Sequence, residues 1–304
     1  TPDVARWASI PPAIEGVFNS YGAAFDGGLQ FFPSANACPN ATAQSSNCYN
    51  LDACTVSATP EVAVTSGASA AVMAVLPGVN ADNVAIVGGT PLVNALTSSI
   101  AHLATLDAAQ SRHIVVITDG AAACNTTLSF PDYLETYDER VVATLETAVN
   151  DHDITTHIIG IEIEDALTGV GQDGAPEANV FEKLNAAAQA GGAALTGGAE
   201  SFHRVFSGLQ LAASLNQIFE SILPCEVSLA GTDVGLPDAE RVPHVRFTAD
   251  EADVPYVTSD DCDTADGWTW IEEGQTATFC GQNCEDHIKS TSAFAAVYGC
   301  PEED

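Results

Sequence analysis

The sequence predicts an α/β fold class: a doubly wound, mostly parallel sheet of Rossmann-like architecture, followed by a small disulfide-stapled all-β unit. Three observations predict it. Strand-like and helix-like segments alternate from residue 25 to residue 223, as in a parallel sheet covered by helices on both faces. HIVVITDG at 113–120 and ITTHIIGIEI at 154–163 hold apolar runs without alternation, the mark of strands buried on both sides. Beyond Pro224-Cys225 the helical period is lost and short strand-like pieces take over. The expected division is 1–223 for the α/β domain and 224–304 for the β unit.

The elements follow in order. Val4, Trp7, Ile10, Ile14, Val17, Phe18 and Tyr21 recur at helical spacing over 4–21. Pro11 and Pro12 are expected to split or kink that helix. A strand is expected over 25–33, ended by proline, then a Cys-rich excursion without period at 34–60. A short strand at 61–65 and a helix at 68–76 follow, stopped by Pro77-Gly78. GGTPLVNALTSSIAHLATL at 88–106 reads as a Gly-Gly break, a proline in the first turn, and a helix with Leu92, Leu96, Ile100 and Leu103 on its apolar face. After strand 113–118 come a helix at 138–150, strand 154–163, a helix at 179–190 ended by Gly191-Gly192, a short strand at 202–206 and an amphipathic helix at 208–223. In the second unit, strands are expected at 226–230, 244–248, 268–271, 276–280 and 293–298, with a weak helical period near 284–289. About 80 residues is a small core, and staples are expected to support it.

The charge is lopsided: 41 acidic residues against 8 basic ones in 304 residues, a net −33. Binding phosphate needs clustered cations, so nucleic acid and anionic membrane surfaces are excluded as partners. Such a surface attracts cations and basic groups. It suits a salty medium, which screens self-repulsion, and equally serves plain solubility outside the cell. No apolar stretch reaches membrane length. If the protein is exported, its signal was removed or lies upstream of residue 1.

Nine cysteines are present: Cys38, Cys48, Cys54, Cys124, Cys225, Cys262, Cys280, Cys284 and Cys300. Zinc would want two short pairs, and the closest spacings, 48–54 and 280–284, do not supply them. Disulfides are therefore expected, and with them a secreted, cell-surface or periplasmic location. Pairing within 38/48/54 and within 262/280/284/300 is the economical expectation. The odd count leaves one thiol free or paired outside the chain.

Ligands of open α/β sheets bind beyond the carboxyl ends of the strands. Asp119 ends strand 113–118, and Thr90 sits on the glycine loop before a helix. A carboxylate and a hydroxyl facing one cavity suit a hard divalent cation. Thr90 also reads as a cap before Pro91, and Asp119-Gly120 as a strand-ending turn.

Val-Ile-Thr-Asp-Gly after an apolar strand, preceded by Gly-Gly-Thr-Pro-Leu at 88–92, resembles the metal-ion-dependent adhesion site of von Willebrand factor A-type (vWA) domains. The match in element order covers about 4–223. Ala122-Ala123-Cys124-Asn125, Gly267-Trp268, Gly281-Gln282-Asn283-Cys284 and Gly299-Cys300-Pro301 are similar to a secreted bacterial vWA group, which extends the resemblance over nearly the whole chain. The resemblance implies that Thr90 and Asp119 hold Mg²⁺ (or Mn²⁺ or Ca²⁺), directly or through water, and that a protein partner supplies a further carboxylate. It implies an adhesion or recognition module and no enzyme.

One departure stands out. The group's Asp-x-Ser-x-Ser strand sits shortly before an Arg-Trp pair, present here as Arg6-Trp7, and is absent from the sequence. The central strand and the principal metal ligands are thus expected from an upstream fragment, or from another polypeptide. The alternative function follows: a structural subunit of a surface assembly whose missing strand is complemented by another chain or copy. A metal-dependent hydrolase using Asp119 ranks third, because no general base or nucleophile accompanies it in the sequence.

Weaker candidates remain. Asp261, Asp263 and Asp266 resemble a calcium loop, but the third acid is one residue late for an EF-hand and an acidic turn reads as well. His102, His113, His152, His157 and His203 are scattered; His157, in an apolar strand, reads as a core histidine. Trp268 and Trp270 share one strand face and read as core of the β unit. Asn40-Ala41-Thr42 and Asn125-Thr126-Thr127 are glycosylation sequons.

Overall fold

The computed structural model describes residues 2–22, 24–35, 37–38, 48–77, 86, 88–170, 175–223, 225–229, 242–249, 252–262, 264–281, 284 and 294–298. They form two compact units, Thr1–Ile218 and Phe219–Asp304.

The first unit opens with α1 (Pro2–Tyr21), one helix through Pro11 and Pro12. The expected split does not occur. Trp7, Ile14 and Phe18 pack with the buried Val62, Val72 and Leu76, and that tertiary burial outweighs the backbone bonds a proline lacks. β1 (Gly27–Leu29) and β2 (Val62–Thr65) pair antiparallel. β1 is shorter than the 25–33 expected. Beyond it the amide of Phe31 and the side chain of Gln30 both donate to Glu61 Oε2, at 2.9 and 3.1 Å, in place of a strand ladder. α2 (Ser69–Val75) follows.

The parallel sheet is built by β3 (Arg112–Thr118), β4 (Ile154–Ile161) and β7 (His203–Val205), in the order β3-β4-β7. α3 (Leu92–Leu103), α5 (Arg140–His152) and α6 (Val180–Ala190) bury Leu92, Leu96, Val141, Leu145 and Leu184 in one core with Val116, Ile154 and Ile158 of the sheet. The i, i+4, i+7 spacing of Val141, Leu145 and Ala148, all fully buried, shows why 140–152 is helical. Asp153, at φ 52°, turns the chain from α5 into β4. α6 starts on Asn179, whose side chain accepts from the amide of Glu182 at 3.3 Å. α7 (Gly208–Ile222) buries Leu211, Leu215 and Ile218. Short elements that escaped the sequence include α4 (Asp132–Glu135) and the two-residue strands β5 (Leu167–Thr168) and β6 (Ala178–Asn179).

Among the described residues the β1-β2 pair and the parallel sheet are separate sheets. Both touch one core, since Phe32 and Val64 pack against the cluster containing Val116, and the Val64 amide donates to His102 Nε2 of α3 at 3.1 Å. Among the described residues β3 pairs with β4 alone. Ile114, Val115 and Ile117 are accordingly half-buried, whereas seven of the eight β4 residues are buried.

Among its described residues the second unit holds two three-stranded antiparallel sheets. One joins β8 (Glu226–Ser228), β11 (Gly267–Glu272) and β12 (Thr276–Cys280); the other joins β9 (Val245–Ala249), β10 (Ala252–Val254) and β13 (Phe294–Tyr298). Phe247, Trp268 and Phe279 centre its core, with the Phe247 and Trp268 rings edge to face at 4.7 Å. Trp270 packs against the same cluster, so the two tryptophans do share the core face. The weak helical period near 284–289 lies almost wholly outside the described residues.

Among the described residues four disulfides form: Cys38–Cys48, Cys54–Cys124, Cys225–Cys284 and Cys262–Cys280. Such bonds persist in oxidising compartments and mark a chain that works outside a reducing cytosol. The expectation of local pairing is corrected for Cys54, which crosses 70 residues to Cys124, and for Cys284, which takes Cys225. Cys54 and Cys124 meet because Ala53 and Ala123 are buried in one small core with Tyr133 and Leu134. Cys300 lies outside the described residues. No helix among the described residues is long and apolar enough to cross a membrane.

Candidate functional site

Two loops that are distant in sequence meet above the carboxyl ends of β3, β4 and β7. Gly88 and Gly89 carry the first. A side chain on Gly88 would meet the Ala53 carbonyl oxygen at 2.8 Å, and one on Gly89 the Cys124 sulfur at 2.9 Å. The Gly89 amide donates to the Ala53 carbonyl at 3.0 Å. Thr90 comes next, its carbonyl accepting from Leu92 and from Ala123, each at 2.8 Å. The bond from Ala123 ties the Thr90 loop to the loop that follows Asp119.

The second loop leaves β3 at the buried Thr118. The Gly120 amide donates to Thr118 Oγ1 at 3.4 Å. Asp119 is exposed, and Thr90 Oγ1 lies 3.7 Å from where a Gly120 side chain would begin. Thr90 and Asp119, singled out by the sequence, are therefore on neighbouring loops of one cleft. The capping alternative for Thr90 is not what forms: α3 is preceded by Pro91, and no side chain caps it.

The cleft has a volume of about 720 Å³ and is open to solvent. Its walls add residues the sequence did not single out. Glu162 and Glu164 follow β4, both exposed. Glu162 holds a left-handed φ of 54°, and its amide donates to the Val205 carbonyl at 2.8 Å, which fixes it beside β7. Phe206, 50% exposed, and Leu167, 56% exposed, form an apolar rim. The Arg204 guanidinium lies 4.9 Å over the Phe206 ring and donates through Nε to the Ile163 carbonyl. The arrangement is a negative floor with an apolar edge, suited to cations and to a protein surface.

The donors at Thr90 and Asp119 are of the right kind for a hard cation: one hydroxyl and one carboxylate. They are few. Among the described residues no group of three or more His, Cys, Asp or Glu side chains could hold a metal ion. Mg²⁺ is often held by one or two carboxylates while keeping several waters, and only that kind of loose binding fits this donor set.

The other acidic candidate divides. Asp261 Oδ2 accepts from Thr258 Oγ1 at 2.6 Å within a turn, and Asp266 Oδ1 lies against Gly281. Asp263 lies outside the described residues. Asn125 heads an Asx turn in which its Oδ1 accepts from the amide and the hydroxyl of Thr127. Asn40 lies outside the described residues.

No family model matches the chain, and no curated protein is similar to it at a significant level. Among solved structures, the chain is similar to the pilus adhesin SpaC from Lactobacillus rhamnosus GG, with 12% identity and a TM-score of 0.48 over 98% of this chain. The match spans 36% of that adhesin's length.

Proposed function

We propose that the chain is an extracellular protein-binding module of the vWA type, which holds its partner at the Thr90–Asp119 cleft. The observation that carries this reading is the 2.8 Å bond from the Ala123 amide to the Thr90 carbonyl. It sets a hydroxyl and a carboxylate on adjoining loops, where open α/β sheets bind ligands. In this reading Asp119 and Thr90 hold Mg²⁺, or Mn²⁺ or Ca²⁺ in its place. The ion would supply the positive charge that lets an acidic partner group approach an acidic protein. Phe206 and Leu167 contribute apolar contact at the rim. Binding is favoured over catalysis because, among the described residues, no histidine or cysteine lines the cleft with Asp119.

Thermal unfolding in MgCl₂, against NaCl of equal ionic strength, tests this reading. A specific Mg²⁺-dependent rise in Tm that Asp119→Ala abolishes supports it. An equal rise in both proteins is general screening of the net −33 charge, and overturns it.

A second reading is favoured by one specific observation, the one-sided pairing of β3 among the described residues. Half-buried Ile114, Val115 and Ile117, on a strand at the edge of the sheet among the described residues, form a template for an added strand. In that reading the chain is a subunit of a surface assembly, completed by a strand from an upstream fragment or another chain. Hydrogen exchange decides it: the β3 amides not bonded to β4 exchange far faster than those of β4 in the isolated chain. Equal protection of both sets rules it out.

A further inference from the structure

His113, His157 and His203 lie on three consecutive strands of the parallel sheet, and the register puts them on one face. His113 pairs with Thr155, Val115 with His157, and Ile159 with His203. Paired residues of parallel strands point the same way, as do residues two apart on one strand. The three rings therefore form a diagonal ladder across β3, β4 and β7. His157 and His203 are 8% and 7% exposed, and His113 is half-buried. His157 Nε2 lies 3.3 Å from His113 Nδ1, and their ring centroids are 5.5 Å apart.

We propose that these three histidines form an acid-sensitive latch: uncharged, they let β3, β4 and β7 pack together, and protonated, they drive the strands apart. The 3.3 Å contact requires at least one of the two facing nitrogens to be without a proton. Two imidazolium rings at that distance would repel inside a low-dielectric sheet.

The surroundings offer little compensation. Asp153, at the head of β4, is the carboxylate that favours the charged form of His113. The remaining charged residue of β3, Arg112, donates to the His152 carbonyl. Arg204 of β7 is next to His203, points to the opposite face and pairs with Glu200. Val116, Ile154 and Ile158, on the opposite face of the sheet, share one core with residues of α3, α5 and α6. On the two other long helices, α1 and α7, the charged residues whose side chains are described are Glu15 and Glu220, both exposed. Among the described residues no carboxylate hydrogen-bonds any of the three rings.

Burial lowers the pKa of all three rings. His157 falls to about 4, through burial first and then the charges of His113 and His203. In the unfolded chain these groups take up protons near 6.5. Between 6.5 and about 4 the unfolded state thus binds more protons, and stability falls as pH falls. Above 6.5 both states are neutral and nothing is lost. The many exposed carboxylates act in the opposite sense, because protonating them relieves repulsion. The cleft is built on the ends of the same three strands, so opening the latch would also disperse Asp119, Glu162 and Phe206.

NMR titration of the imidazoles in the full chain tests the latch, together with Tm measured between pH 7.5 and 4.5 for wild type, His157→Gln and His113→Gln. The expected result is a His157 midpoint well below 6, and a wild-type Tm that drops by several degrees more on acidification than that of either variant. A His157 midpoint near 6.5, or a drop in Tm that neither substitution reduces, overturns the proposal. The titration stands on the wild type alone, should a variant fail to fold.

Discussion

The carbonyl oxygen of Thr90 accepts a 2.8 Å hydrogen bond from the amide of Ala123. A main-chain bond thus holds the Gly-Gly-Thr loop against the segment following Asp119. The bond does not depend on the threonine side chain. Thr90→Val should therefore keep the loop in place, with a stability change within about 0.5 kcal/mol, as for substitutions away from buried features. The specific Mg²⁺ effect on Tm should be lost. Thermal scans with and without MgCl₂ check both parts.

Cys54 and Cys124 close a loop of 70 residues, and the Cys124 sulfur lies against Gly89. Replacing both by serine should cost about 2–4 kcal/mol in urea unfolding, because the cross-link removes loop-closure entropy from the unfolded chain. The same double variant should weaken the Mg²⁺ effect, since Ala53 anchors the Gly89 amide beside the bond.

The carboxylate of Asp138 is fully buried and accepts from Arg140 Nε and Nη2 at 2.8 and 2.6 Å, while the Arg140 side chain is 42% exposed. The two substitutions should therefore differ. Arg140→Leu leaves a buried charge without its cation and should cost about 3 kcal/mol. Asp138→Asn keeps hydrogen-bonding capacity, leaves a cation that can reach water, and should cost about 1 kcal/mol. Denaturant midpoints of the two variants check the order.

Gly160 sits in β4 where any side chain would lie 2.7 Å from Ile163 and Phe202 and 2.9 Å from Leu184. Gly160→Val should overpack this contact and cost about 1–3 kcal/mol, read from the same denaturation curves.

Much of the first unit was legible because its elements are long and periodic. The apolar face of α3 and the runs in β3 and β4 announce themselves within a dozen residues. Thr90 and Asp119 were legible because each sits on a glycine-marked turn at the end of an element. Glu162, Glu164 and Phe206 were not: nothing local separates them from ordinary strand ends, and only the positive φ of Glu162 and the β4–β7 register bring them to the cleft. The histidine ladder was hidden for the same reason. His113, His157 and His203 have no short-range spacing, and only parallel registration aligns them. The split expected at Pro11 and Pro12 does not form, because local propensity gave way to packing of Trp7, Ile14 and Phe18.

The central claim, that Thr90 and Asp119 form the working site, is tested most directly by locating a bound cation. Substoichiometric Mn²⁺ added to the isotope-labelled chain broadens the NMR signals of nuclei near it. The amides of Gly89, Thr90, Asp119 and Gly120 are expected to broaden first, and Asp119→Ala to remove this selectivity. Broadening spread evenly over the acidic surface, or centred on Asp261 and Asp266 with Thr90 unaffected, would contradict it.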